Sequence, residues 1–272
     1  MDGLTSTVSR RSLPPPASPL ISVITAVYNA RPTLEATLRS VGQQSYPQVE
    51  HIIIDGGSTD GTVELIRQYA DQVVYWVSEP DGGIYDAWNK GIRASRGEWI
   101  CFLGADDTLE PDALATYARY LQHEAPAGCE FVSSRLVMVN EAGQTLETLG
   151  QAWHWPTFQR YMNVTHVGAL HARSLFERGG LYDTSYRVIG DYELLHRAGD
   201  SLRAGFVPAV TVRMRQGGIS DGTPALREAR RLKVEQRRWH PARAWADYGF
   251  ATFKLRVRQW LNRRGIYARI RQ

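Results

Sequence analysis

Two cysteines, Cys101 and Cys129, are the only thiols in 272 residues. They are too few for a disulfide framework, and such sparse cysteine fits a reducing, cytoplasmic compartment. Cys101 lies inside the run Trp99-Ile100-Cys101-Phe102-Leu103, where a buried, reduced thiol is expected. No apolar run approaches the ~18 residues of a spanning helix. After Arg10 and Arg11 the chain turns to Leu13-Pro14-Pro15-Pro16 rather than to an apolar signal core, so residues 1–19 read as a disordered, proline-extended tail. A phosphate loop of the G-x-x-x-x-G-K type is missing, and so is a G-x-G-x-x-G after the first strand. The second absence argues against an ordinary dinucleotide dehydrogenase. His123, His154 and His171 lack metal-ligand spacing, and no internal repeat is visible. Charge of one sign is also modest overall, at net +4.

What the chain does have is a regular first half. Hydrophobic residues make up 43% of it, enough for a sizeable core, and charged residues 22%. Ile21–Val27 is a β-branched run without helical periodicity, hence a strand. A helix is expected from Pro32 to the Gln43-Gln44 region, a strand over 49–54, a helix over 62–70 and a strand over 73–77. A helix over Ile84–Ala94, a strand over Trp99–Leu103 and a helix over Pro111–Gln122 follow. This alternation is the signature of a doubly wound, mostly parallel α/β sheet with right-handed crossovers. The second half is less regular. It predicts strands over 131–139, 164–171 and 205–214, and a helix over 191–198, as in a mixed sheet.

Doubly wound sheets bind ligands at the carboxyl ends of their strands. The residues there are Tyr28-Asn29, Asp55-Gly56-Gly57, Glu79 to Gly83 and Asp106-Asp107. Any one of these groups also suits a turn or a helix cap. Adjacent carboxylates repel, and a hard divalent ion offsets that repulsion, taking one or two carboxylates plus the phosphates of a substrate.

Three segments resemble the hallmarks of family 2 glycosyltransferases: Val23–Asn29, Ile53–Thr62 and Phe102–Asp107. Ser78–Gly91 is similar to a loop and helix of many members, and the resemblance covers residues 20–222. It implies the GT-A fold, with a nucleotide-binding half (20–125) and an acceptor half (126–222), and an inverting, metal-dependent transfer from a nucleotide-diphosphate sugar. By the same resemblance, Thr25 and Tyr28 would contact the base, Tyr28 by stacking. Asp55 would accept the ring N–H of uracil, favouring a UDP-sugar. Asp81 belongs to the nucleotide side, Asp106 to the ribose and Asp107 to the metal, Mn2+ or Mg2+. Gly104 departs from the pattern, since many members carry a third acidic residue there. Lys90 stands where it would meet the diphosphate or simply face water.

Inversion needs a base to take the acceptor hydroxyl's proton, and a carboxylate of raised pKa suits that task. Ile189–Arg197 resembles the family's acceptor motif and matches Asp191 to the base, with Gly190 in place of a common acidic neighbour. Asp191 also suits an N-cap of the following helix. Glu193 is the fallback base, and His166 either lies near the acceptor or is a structural histidine. Gly217–Ser220 resembles a family loop over the donor, and reads more plainly as a turn into the next helix.

From Thr223 the chain reads as a helical extension (223–272). Between 241 and 272 it holds eight basic residues against one acidic, Asp247. Phe250, Phe253, Val257, Trp260 and Leu261 recur at helical spacing. Such a helix suits peripheral contact with an anionic inner membrane face, where the acceptor would be a lipid-linked saccharide of cell-surface polysaccharide synthesis. Packing on the domain is the other reading. Nucleic acid is not expected beside an acidic cleft. A sugar nucleotidyltransferase would carry a glycine-rich, basic triphosphate loop, and a non-catalytic sugar-nucleotide module would lack the base.

Overall fold

The computed structural model describes residues 18–217, 223–236 and 239–263. The expected tail lies almost wholly outside the described residues, as do Gly218-Ile219-Ser220 and the basic residues Arg264, Arg269 and Arg271. The first half alternates strand and helix: β1 (Ile21–Val27), α1 (Leu34–Gly42), β2 (Val49–Asp55), α2 (Thr62–Gln68), β3 (Tyr75–Ser78), α3 (Ile84–Ala94) and β4 (Trp99–Gly104). Then come β5 (Thr108–Leu109), α4 (Ala113–His123), β6 (Phe131–Val139), β7 (Thr145–Leu149), α5 (Trp155–Phe158), β8 (Leu170–Ala172) and α6 (Arg173–Gly179). The chain continues through α7 (Gly190–Ala198), β9 (Ala204–Arg215), α8 (Thr223–Glu235) and α9 (Pro241–Arg263). None of the described helices is long and apolar enough to cross a membrane.

The strands form one sheet in the order β3-β2-β1-β4-β8-β6-β9-β5, with β7 beside β6. The β3-β2-β1-β4 part is parallel. The sheet turns mixed where β8 runs antiparallel to β4 and β6. Alternate residues of the central strands feed opposite faces. Ile21 and Val23 pack with Leu114 and Tyr117 of α4, while Ile24 packs with Tyr85, Trp88 and Ile92 of α3. Helices therefore cover both faces, which explains the near-continuous apolar strands.

One expected strand is much shorter than its pattern. Residues 164–171 are strand only from Leu170, because Gly168 takes φ 72° in a turn closed by the Ala169 N–H to the His166 carbonyl (3.0 Å). Val164 and His166 are buried by packing rather than by sheet pairing. The third strand likewise begins at Tyr75, after a 3-10 turn over Ala70–Gln72.

Candidate active site

The parallel register sets four strand ends side by side. Val27 is opposite Asp55, Asp55 opposite Ser78, and Ala26 opposite Gly104. Tyr28 follows β1 with 68% of its surface exposed, an aromatic ring free on one side for stacking. Next to it Asn29 holds a left-handed φ of 48°, rare for a residue with a side chain. Its amide and side chain are fixed by Ser58 Oγ (2.7 Å) and the Thr59 N–H (3.0 Å).

Asp55 is fully buried and organises the turn after β2. Its Oδ2 accepts the N–H groups of Gly57 (3.1 Å) and Ser58 (2.9 Å) and the hydroxyl of Ser78 (2.6 Å), while Oδ1 accepts the Ser58 hydroxyl. Asp81 arrives over Gly56, where an added Cβ would lie 2.7 Å from its Oδ2. Its Oδ1 accepts the Gly83 N–H at 2.7 Å. Thr25 is placed otherwise than the resemblance suggests. It is fully buried, with its hydroxyl 3.0 Å from His51 Nε2, so the side chain faces core rather than base. Lys90 also turns inward to its own loop, pairing with Glu79 at 2.7 Å and donating to the Pro80 carbonyl at 3.2 Å.

Past β4, Asp106 is exposed and Asp107 is buried. Asp107 Oδ1 accepts the backbone N–H of Arg215 on β9 at 3.0 Å, and its carbonyl accepts the Thr37 hydroxyl at 2.8 Å. Burial first, and then the neighbouring Asp106 charge, push the Asp107 carboxyl up to about 7. A buried carboxylate beside an exposed one, with oxygen donors only, fits a hard divalent ion completed by phosphate and water. The described residues contain no cluster of three or more side chains that would cage a metal alone.

Asp191 lies in the first turn of α7, which starts at Gly190 with Ile189 at the cap position. The cap reading is therefore corrected: Asp191 is inside the helix, and its Oδ1 accepts the adjacent Tyr192 N–H at 2.9 Å. Glu228 of α8 instead holds the loop that leads into α7, accepting the N–H groups of Arg187 (2.8 Å), Val188 (3.0 Å) and Ile189 (3.1 Å). Burial raises the Asp191 carboxyl above its ordinary value, with the Tyr192 N–H and Tyr85 hydroxyl pulling the other way. Tyr85 of α3 supplies that hydroxyl at 3.1 Å. Neither Tyr85 nor Glu228 was picked out by sequence reasoning. Tyr85 at least stands inside the Ser78–Gly91 segment, whereas nothing local marks Glu228.

The remaining candidates sit apart from the cleft. Glu193 is 1% exposed and turned to Arg197 (2.9 Å) and Gln236. His166 is buried between Trp88 and Phe102, with Nε2 2.9 Å from the Tyr182 hydroxyl. Burial depresses its pKa to about 3, so it stays neutral.

Residues 22–171 match the family described as Glycosyl transferase family 2. The chain is 32% identical over 181 residues to a PGL/p-HBAD biosynthesis glycosyltransferase of Mycobacterium bovis, covering 65% of this chain and 68% of that one. It is 33% identical over 155 residues to the putative teichuronic acid biosynthesis glycosyltransferase TuaG of Bacillus subtilis, covering 56% and 60%. S. aureus TarS 1–349 in complex with UDP-GlcNAc superposes with a TM-score of 0.63 at 15% identity, over 83% of this chain and 69% of that one. The mannosyltransferase PcManGT of Pyrobaculum calidifontis, in complex with GDP-Man and Mn2+, gives 0.61 at 20% identity, over 85% and 70%. Against a longer TarS chain the match spans only 44% of its length. These likenesses show the GT-A fold. With the family matched over more than half of the chain, on the segments that build the cleft, this protein belongs to glycosyl transferase family 2.

Proposed function

We propose that the chain transfers one sugar from a UDP-sugar to an acceptor hydroxyl with inversion, in the assembly of a cell-surface polysaccharide or glycolipid. The observation that supports this best is the pair of unlike carboxylate sites. Asp106-Asp107 stands at the parallel strand ends, and Asp191 on α7 is tied by Tyr85 to the helix that follows the donor loop. In this reading residues 20–125 hold the donor, 126–222 the acceptor, and 223–272 form the extension. Tyr28 stacks on the base, and Asp55 and Asp81 shape its pocket. Asp106 takes the ribose, and Asp107 holds Mn2+ or Mg2+. A metal held there would supply positive charge against the diphosphate leaving group.

Asp191 takes the proton of the acceptor hydroxyl while that oxygen forms its bond to the anomeric carbon. The bond from that carbon to the diphosphate oxygen breaks, and its electron pair leaves with the nucleoside diphosphate. A carboxylate whose pKa is raised by burial holds that proton better than an exposed one. The relatives named for PGL/p-HBAD and teichuronic acid biosynthesis support a saccharide or lipid-linked saccharide acceptor, reached at the inner membrane face through the basic helix. Calorimetry with UDP-GlcNAc and GDP-mannose, with Mn2+ and then with EDTA, tests the donor side. NMR of the product's anomeric configuration tests the chemistry. Metal-dependent UDP-sugar binding and an inverted product support the reading, whereas metal-indifferent binding or retained configuration overturns it.

A further inference from the structure

Asp191 meets a second functional group that the family resemblance assigns no role. Tyr85 Oη lies 3.1 Å from Asp191 Oδ1 and 2.9 Å from the Val188 carbonyl, so one hydroxyl proton faces two acceptors. The ring itself is locked. It is 5% exposed, packs edge-on to Trp88 at 5.3 Å, and lies against Tyr182 at 5.3 Å. Gly190, the residue before Asp191, has no side chain where one would strike this ring. An added Cβ there would stand 2.9 Å from two of its carbons. Its φ is not in the left-handed region, so backbone geometry does not demand glycine at this helical position. Room for the tyrosine does.

We propose that Tyr85 is a positioning residue for Asp191, its hydroxyl orienting the carboxylate and tuning its basicity, and that Gly190 exists to admit it. The inference rests on the reading of Asp191 as the base. Burial and the Asp191 charge hold the Tyr85 phenol well above its ordinary pKa, so it remains a donor at every working pH. The other titratable groups that couple to Asp191 are Tyr182, beside α3, and Glu228, reaching from α8. Glu228 raises Asp191 and Tyr85 lowers it, so the tyrosine hydroxyl is the opposing hand on one carboxylate. When Val188 accepts the proton instead, Asp191 loses a donor and becomes the stronger base. The shared proton thus links the acceptor-side backbone to the carboxylate.

Tyr85→Phe keeps the ring and removes only the hydroxyl. The expected result is kcat lower by about ten-fold, the worth of a hydrogen bond to a charged group. The acidic limb of kcat/KM for acceptor moves to higher pH, because the carboxylate loses a donor. UDP binding with Mn2+ stays unchanged, which shows the variant is folded. Gly190→Ala crowds the same ring and moves the limb in the same direction, and in the double variant the two effects do not add. A Tyr85→Phe limb identical to wild type overturns the proposal, whatever happens to kcat. Asp191→Asn separates this failure from the failure of the base reading. A slow Asp191→Asn with an unmoved Tyr85→Phe limb sinks only the role of Tyr85, whereas a fully active Asp191→Asn sinks both.

Discussion

A Cβ on Gly104 would lie 2.5 Å from Asp107 Oδ2 and 3.1 Å from Asp106 Oδ1. The glycine is thus the space into which both carboxylates fold, and a third acidic residue has no room while they stand there. Gly104→Ala is expected to displace the Asp107 carboxylate and weaken Mn2+-dependent UDP binding by about ten-fold or more, the usual effect of disturbing a metal ligand's surroundings. Calorimetry with and without Mn2+ measures it. An alanine variant that binds UDP-Mn2+ like wild type would show that the Asp107 carboxylate does not need the space at Gly104 for that binding.

Asp191, the proposed base, and Glu228, which holds the loop ahead of α7, have different tasks, so their variants should behave differently. Asp191→Asn should lower turnover by about 10²–10⁴-fold. Its folded carboxyl is raised above the unfolded value, so the ionised form is penalised at neutral pH, and a neutral amide of the same shape should hold or raise Tm. Glu228→Ala should instead lose about 1–2 kcal/mol of stability by stranding three backbone donors in the loop ahead of α7. Thermal melts and initial rates on both variants decide this. An Asp191→Asn protein with a collapsed Tm would return the residue to a structural role.

Much of this was legible in residue order. The β-branched run Ile21–Val27 and the amphipathic Ile84–Ala94 have the bounds that their patterns predict, since burial on two faces and on one face leaves different periods. The strand-end carboxylates were legible because parallel topology gathers strand ends. What was not legible depends on distant chain. Thr25 reads as a ligand residue until His51, on the neighbouring strand, takes its hydroxyl. Lys90 reads as a phosphate contact or a solvated lysine, and neither reading foresees that the loop ahead of its helix folds Glu79 back onto it. Glu193 reads as a rival base until Gln236, beyond α8, closes over it.

His51 gives a pH dependence with a definite sign. Burial lowers its pKa from the ordinary 6.5 to about 4. Between those values the unfolded chain binds a proton that the folded chain refuses, so this residue makes stability rise with pH and fall on acidification. His51→Gln keeps a polar partner for Thr25 and cannot titrate. Between pH 6.5 and 4 the variant should lose less Tm than wild type, as read by melts at fixed ionic strength. Parallel Tm curves for the two proteins would rule out a buried, neutral His51.

The extension is where the two readings of the sequence can be told apart. α9 packs on α8 through buried Ala244 and an ion pair between Lys233 and Asp247 (2.7 Å), the one acidic residue of the segment. Asp247, still partly exposed, is paired with Lys233. Trp245, Phe250, Phe253 and Trp260 are exposed by 56%, 60%, 64% and 52%, and Arg243 and Arg256 are exposed among them. At about 100° per residue these six positions fall within roughly 160° of one another around the axis. Trp245 also meets Arg230 of α8 at 4.2 Å, and the proposed contact with an anionic bilayer would use the exposed aromatic and basic side chains of this arc. Phe250→Ser with Phe253→Ser should abolish sedimentation with phosphatidylglycerol vesicles while leaving UDP binding intact. Each basic residue near such a surface adds about 1 kcal/mol, so raised salt should release the wild-type protein steeply. Equal binding to neutral phosphatidylcholine vesicles would point to apolar insertion alone. Binding that survives both substitutions and high salt would remove α9 from the membrane contact.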